Sequence, residues 1–392
     1  MPADRVTRRL TGAGMEQTDG YADATLPDGV RARFVDDVNG LRMHILEAGF
    51  DTPGRPCLLL LHGFPELAYS WRKVMVPLAE AGYHVIAPDQ RGYGRTSGWD
   101  GAYDGDLESY RVLNLVRDAL ALIAALGQPT VAAVIGHDFG SPVAAHCALV
   151  RPDVFPAVAL MSAPYAGPPA WPTAATATGG SDIHAELAAL TPPRKHYQWY
   201  YSSREADADM RHCAQGIHAF LRAYYHVKSA DWPDNRPHPL SGWTAAELAR
   251  LPRYYVMDLD ANMAETVAPH MPDAGQIDAC DWLGDAELAV YAGEFARNGF
   301  QGGLQWYRCS TGGAQARELR LFAGRAIDVP ACFIAGAADW GIHQVPGALM
   351  RMQETACSDF RGVHLIDGAG HWVQQEQPGD VTAALKRFLD GL

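Results

Sequence analysis

An aspartate sits at the centre of Gly136-His137-Asp138-Phe139-Gly140, between an apolar run from Val131 and an Ala- and Val-rich stretch from Ser141. This is the pattern small, any residue, nucleophile, any residue, small at a strand-to-helix turn. Such a turn strains the backbone of its central residue, so the positions two before and two after must be small, as Gly136 and Gly140 are. Alone, the segment reads equally well as a glycine-flanked turn with a helix-capping Asp. Two further groups tip that balance. Asp339 follows the apolar run Ala331 to Ala335 through Gly336-Ala337-Ala338, and His371 follows Val363 to Ile366 through Asp367-Gly368-Ala369-Gly370. Nucleophile, acid and base thus come in the chain order this arrangement requires. An ionised carboxylate can displace a group at a saturated carbon without help from a base, leaving an ester. An imidazole held in one tautomer by a second carboxylate can then deprotonate the water that cleaves it.

Those residues need a sheet to bring them together. Alternation over Val30 to Val38, then Asn39-Gly40, then Leu41 to Ala48 predicts a β-hairpin, because Asn-Gly supplies the positive φ angles of a tight turn. Short apolar runs follow at Cys57 to Leu61, Tyr83 to Ala87, Val131 to Ile135, Ala157 to Met161, Ala331 to Ala335 and Val363 to Ile366, as expected of strands buried on both faces. Helical stripes lie between them, clearest at Arg111 to Leu126, so the sheet is expected to be mostly parallel. Ligands in such sheets bind beyond the carboxyl ends of the strands, where Asp138, Asp339 and His371 would converge.

The alternation stops after Met161, at the hinge-like Ser162 to Pro169 and an Ala/Thr/Gly stretch to Gly180, and resumes near Asp328-Val329-Pro330. The intervening residues carry helical patterns around Arg194 to Met210, Ile217 to Val227, Thr244 to Leu251 and Asp285 to Ala296. The expected organisation is a leader over 1–26, an α/β core over 27–163 and 325–392, and an inserted, mainly helical cap over 164–324. A helix over Asp380 to Leu389 closes the chain.

With 392 residues, 48% apolar and 20% charged, the chain can bury a large core and is unlike a disordered one. The net charge of −13, without any basic stripe, makes nucleic acid and anionic membrane poor partners. No run approaches the ~18 apolar residues of a membrane span. Arg5, Arg8 and Arg9 are followed by no apolar stretch of a secretory signal. Seven scattered cysteines, none in a C-x-x-C pair, suggest neither a disulfide framework nor a zinc site, and point to a reducing cytoplasm.

The sequence resembles the α/β-hydrolase superfamily, and within it the epoxide-hydrolase-like group. The matching segments are His62-Gly63-Phe64-Pro65-Glu66, Asp89-Gln90-Arg91-Gly92-Tyr93-Gly94, Gly136 to Gly140, Gly336 to Trp340 and Gly368 to Trp372. Two more, Tyr197-Gln198-Trp199-Tyr200 and Gly303-Leu304-Gln305-Trp306-Tyr307-Arg308, are similar to the cap segments that carry the paired tyrosines of soluble epoxide hydrolases. The resemblance implies that Asp138 opens an epoxide by forming an alkyl ester, with Tyr197 and Tyr307 donating to the epoxide oxygen. His371 and Asp339 would then activate water, the backbone N–H groups of Phe64 and Phe139 would form the oxyanion hole, and a vicinal diol would leave without any metal or organic cofactor.

Phe64, Phe139, Trp199, Trp306 and Trp372 lie within or beside these motifs, so an apolar pocket and a small apolar or aromatic epoxide are expected, with two or three of the five rings lining it. Phe139 departs from the family, which usually has Trp after the nucleophile, and the cap's middle from Ser229 to Pro272 carries no segment assignable to the family's motifs. Two other readings stay open. A haloalkane or haloacid dehalogenase uses the same Asp but needs halide-binding nitrogen donors, where this chain has Phe139 and Phe64. A silent ligand-binding hydrolase fold is the other, since fold alone does not guarantee activity. A serine esterase is disfavoured, because Asp138 stands where the hydroxyl should be.

Overall fold

The structure is a computed structural model that describes residues 25–172 and 182–392. The expected leader thus lies outside the described residues except for its last two positions, as does the end of the Ala/Thr/Gly stretch. Eight strands form one sheet: β1 (Val30–Val38), β2 (Leu41–Ala48), β3 (Cys57–Leu61), β4 (His84–Pro88), β5 (Ala133–His137), β6 (Val158–Met161), and, beyond the insert, β9 (Ala331–Gly336) and β10 (Phe360–Ile366). Their spatial order is β1-β2-β4-β3-β5-β6-β9-β10. The β1–β2 and β2–β4 pairs are antiparallel and every other pair is parallel. At the hairpin Asn39 and Gly40 both take positive φ, 49° and 81°.

β3, β5, β6 and β9 are buried along their whole length, as continuous apolar runs require when helices cover both faces. The flanking helices pack in pairs, Val112–Ala125 with Gly140–Val150 and Arg72–Glu80 with Pro378–Leu389. β5 ends two residues later than the apolar run suggests. Gly136 and His137 add nothing to that run, yet they remain in the ladder opposite Leu61 and Met161, which brings the strand to the residue just before Asp138.

The insert is mainly helical, with one correction. Instead of a helix starting at Arg194 there is a strand, β7 (Arg194–His196), paired antiparallel with β8 (Val256–Asp258). The partner strand lies about 60 residues downstream, out of reach of any local pattern. Short helices Tyr197–Tyr201 and Ala206–Arg211 follow. A further helix, Gln301–Thr311, carries the second tyrosine motif.

The cap rests on the core through close backbone contacts. A Cβ on Gly302 would overlap the Gly92 carbonyl, so two glycines let the Gln301–Thr311 helix touch the loop after β4. Trp306 Nε1 donates to Arg91 O at 3.0 Å, and Tyr225 Oη donates to Pro65 O at 2.9 Å. Among the described residues no helix is long and apolar enough to cross a membrane.

Candidate active site

Asp138 follows β5 directly and has φ of +49°, a left-handed backbone that a non-glycine residue adopts only under constraint. The constraint comes from crowding. A Cβ on Gly136 would overlap the Gly140 carbonyl, and one on Gly140 would overlap the Leu61 carbonyl at the end of β3. The tight turn projects the Asp138 side chain over the carboxyl ends of the strands. Gly63 is equally required, because a Cβ there would occupy the space of the Asp138 side chain. Phe64 N–H donates to Asp138 Oδ1 at 2.9 Å. Phe139 is the N-cap residue of the Gly140–Val150 helix, and its backbone N–H belongs to the donors that a helix start leaves without intrahelical partners.

The other two members arrive from the loops after β9 and β10. His371 Nδ1 lies 3.1 and 3.2 Å from the two oxygens of Asp339, whose Oδ1 also accepts the Gly341 N–H at 2.7 Å. An ionised carboxylate only accepts, so Nδ1 carries a proton and Nε2 is the nitrogen free to exchange one. Nε2 lies 3.2 Å from Asp138 Oδ2, a close approach without the alignment of a good hydrogen bond. Asp339 and His371 are fully buried and Asp138 nearly so. Burial opposes the ionisation of Asp138, but the close approach of His371, together with the positive charges of Lys228 and His137, holds its carboxyl well below the usual range. Asp339 is likewise held low against burial, by the charge and hydrogen bond of His371.

The two cap tyrosines come together close enough to this carboxylate to feel its charge. Their rings lie 5.9 Å apart, and Tyr307 packs edge-on against Phe64 at 5.4 Å and Phe139 at 4.7 Å. Burial pushes both phenols well above their ordinary range, followed by the charge of Asp138 for Tyr197 and by Tyr197 and then Asp138 for Tyr307, so both keep their protons at neutral pH. Tyr197 Oη donates to Gln344 Oε1 at 2.8 Å and accepts from Gln198 Nε2 at 3.3 Å.

Of the five rings expected around the pocket, Phe64 and Phe139 surround Tyr307. The other three are placed differently. Trp306 packs behind Phe139 at 5.6 Å, pinned by its bond to Arg91 O. Trp372 stacks on Tyr225 at 4.2 Å and donates to its carbonyl, supporting His371 from beneath. Trp199 is a correction: two residues from Tyr197 on a short helix, it faces away, against His184 and His196 at 4.4 and 5.1 Å.

Several supporting residues lay inside the motifs without a role assigned to them. His137 Nδ1 lies 2.6 Å from Glu66 Oε2, and its Nε2 donates to the His371 carbonyl at 2.7 Å. Burial opposes charge on both partners, but their attraction wins, raising His137 and lowering Glu66. Glu66 also accepts from Gly63 N and Gln374 Nε2. This buried pair therefore ties the nucleophile turn, the loop after β3 and the His371 loop together. Gln344 is signalled only by its place five residues after Asp339, and nothing local announces it as the partner of Tyr197.

Comparison with known proteins agrees with this geometry. Residues 56–182 match the family profile described as alpha/beta hydrolase fold. The chain is 36% identical to epoxide hydrolase A of Mycobacterium tuberculosis over 363 residues, 91% of this chain and 96% of that one. It is 34% identical to epoxide hydrolase B of the same organism over 375 residues, covering 90% and 96%. The crystal structure of epoxide hydrolase A from Mycobacterium thermoresistibile superposes with a TM-score of 0.72 at 36% identity, covering 93% of this chain and 99% of that one. The fold and site define an α/β-hydrolase with an inserted cap. Within that class, the chain belongs to the epoxide hydrolase family.

Proposed function

We propose that this epoxide hydrolase works through a covalent ester of Asp138. The carboxylate attacks one epoxide carbon, the C–O bond breaks, and Tyr197 and Tyr307 stabilise the charge that develops on the released oxygen and supply its proton. Tyr197 must turn its O–H from Gln344 toward the substrate to do so. The ester has a carbonyl that water can attack. His371 Nε2 takes the proton from that water while Asp339 holds Nδ1–H, and the N–H groups of Phe64 and Phe139 receive the tetrahedral oxyanion. Collapse breaks the ester C–O bond, the departing alkoxide takes the remaining proton of the attacking water, and the proton held by His371 restores the tyrosine hydroxyl. The Asp138 carboxylate is thereby returned and a vicinal diol released, with no metal or organic cofactor taking part.

The observation that carries this reading is a buried carboxylate on a strained turn, with a backbone N–H on one oxygen and a His–Asp pair on the other. Phe64, Phe139 and the tyrosine rings around it favour a small apolar or aromatic epoxide. In this reading 27–163 and 325–392 form the core, 164–324 the cap and 1–26 a leader, and the scattered cysteines suit a cytoplasmic setting. The dehalogenase reading is weaker because Phe64 and Phe139 offer no side-chain N–H to a halide. Incubation of the purified protein with styrene oxide and with 1-chlorobutane separates the two. Diol from the first without chloride from the second supports the proposal, and chloride release without diol contradicts it.

A further inference from the structure

We propose that Lys228 is a positioning residue for the ester-hydrolysis step: an ammonium held against aromatic rings behind the triad, it opposes protonation of His371 and so keeps a free base available between two carboxylates. This rests on the covalent reading above.

Lys228 ends the cap helix Gly216–Lys228 and is buried, 4% exposed. Its Nζ lies 5.4, 5.2 and 5.3 Å from the ring centres of Tyr224, Tyr255 and Trp372. All three distances are within cation–π range, which offsets part of the cost of burying the charge. Among the described residues no carboxylate pairs with it. The distinction matters, because an ion pair would cancel the field of the ammonium, whereas rings hold the cation without neutralising it. Its charge consequently reaches both Asp138 and Asp339, contributing to the lowering of each.

The location is fastened to the base itself. The Lys228 carbonyl accepts the His371 N–H at 2.8 Å, Ala230 N donates to Glu376 Oε2 at 2.8 Å, and Gly370 N donates to the same oxygen at 2.8 Å. Trp372, one wall of the cage, is also the neighbour of His371 in sequence.

The groups around His371 explain why a cation is useful there. Asp138 faces it from the turn after β5, and Asp339 from the loop after β9. His137 lies behind it with ring centres 5.1 Å apart, and its charge is balanced by Glu66. Glu376, beneath the loop, is pushed up to about 8 by burial against three backbone donors. Tyr197 and Tyr307 stay neutral. An imidazole between two carboxylates is drawn toward its protonated form, in which it cannot accept a proton from water. A nearby unpaired ammonium counteracts that pull.

The test compares Lys228→Met, which keeps the stem and removes the charge, with Lys228→Arg, which keeps the charge. Ester formation and ester breakdown from styrene oxide are followed in a stopped-flow instrument across pH, with rapid-quench mass measurement of the ester. In K228M the acidic limb of ester breakdown should move up by about one pH unit, while ester formation changes little and K228R retains the wild-type limb. If K228M does not fold, Lys228→Gln reads the same limb. An unmoved limb in the folded neutral variants overturns the proposal, as does an equal loss in K228R and K228M at every pH, which would mark Lys228 as packing alone. Absence of any ester in the wild-type enzyme would instead count against the covalent reading.

Discussion

The core and the cap contribute to the same site under different constraints. Asp138, Asp339 and His371 each follow a strand of one parallel sheet, so strand order and strand ends alone carry them into a single crevice. Tyr197 and Tyr307 come from two short cap helices more than 100 residues apart in sequence, and nothing but packing sets where they sit. The lesson is that the nucleophilic machinery is specified by topology, whereas the electrophilic half is specified by the cap–core interface. That interface is built from glycine contacts and from hydrogen bonds to core carbonyls.

The largest effect should come from the core. Asp138→Asn is expected to reduce kcat/KM on the order of 10⁴-fold or more, because no other group at the site can form the ester. Steady-state diol formation measures it, and substantial retained activity would mean that water attacks the epoxide directly.

On the cap side, Tyr197→Phe and Tyr307→Phe should each slow ester formation by about 10²–10³, the usual cost of losing one oxyanion donor. Ester breakdown should be unchanged in both variants, which single-turnover kinetics can show. Equal slowing of both steps would erase the proposed division between core and cap.

A smaller effect tests the interface. A Cβ on Gly303 would lie 2.7 Å from Phe64 Cδ2 and 2.8 Å from the Tyr93 hydroxyl. Gly303→Ala should therefore cost about 1–3 kcal/mol of stability, read from the denaturation midpoint, and lower activity by shifting Tyr307. Trp199→Ala, on the outward side of its helix, should leave turnover of styrene oxide nearly unchanged.

The reach of the sequence follows the same boundary. The strand alternation, the nucleophile turn and the order Asp138, Asp339, His371 were legible because each is encoded within a dozen neighbouring residues. The β7–β8 pairing and the partnership of Tyr197 with Gln344 were not, since their halves are 62 and 147 residues apart. The outward turn of Trp199 escaped for a related reason: on a five-residue helix, which ring faces the site is decided by what packs against it. Glu66 and His137 could be seen as motif letters, but only the fold shows them bonded to each other.

The smallest effect lies at the far edge of the sheet, away from the site. Burial alone would raise the Glu47 carboxyl, but hydrogen bonds from His84 and Arg33 hold it down to about 2 from its usual 4.5. A carboxylate depressed on folding stabilises the protein fully above its unfolded value. That contribution is lost as pH falls from about 4.5 toward 2. Glu47→Gln should thus lower Tm at neutral pH and flatten its fall over that acid window. A mutant curve parallel to the wild type would contradict the assignment.

The central claim is that the reaction passes through an ester on Asp138. His371→Ala should leave ester formation largely intact while removing the base that cleaves it. Incubated with styrene oxide and examined by intact mass and peptide mapping, this variant should gain the mass of one whole epoxide on the peptide containing Asp138. A folded variant that gains no mass, or gains it on another peptide, would contradict the account.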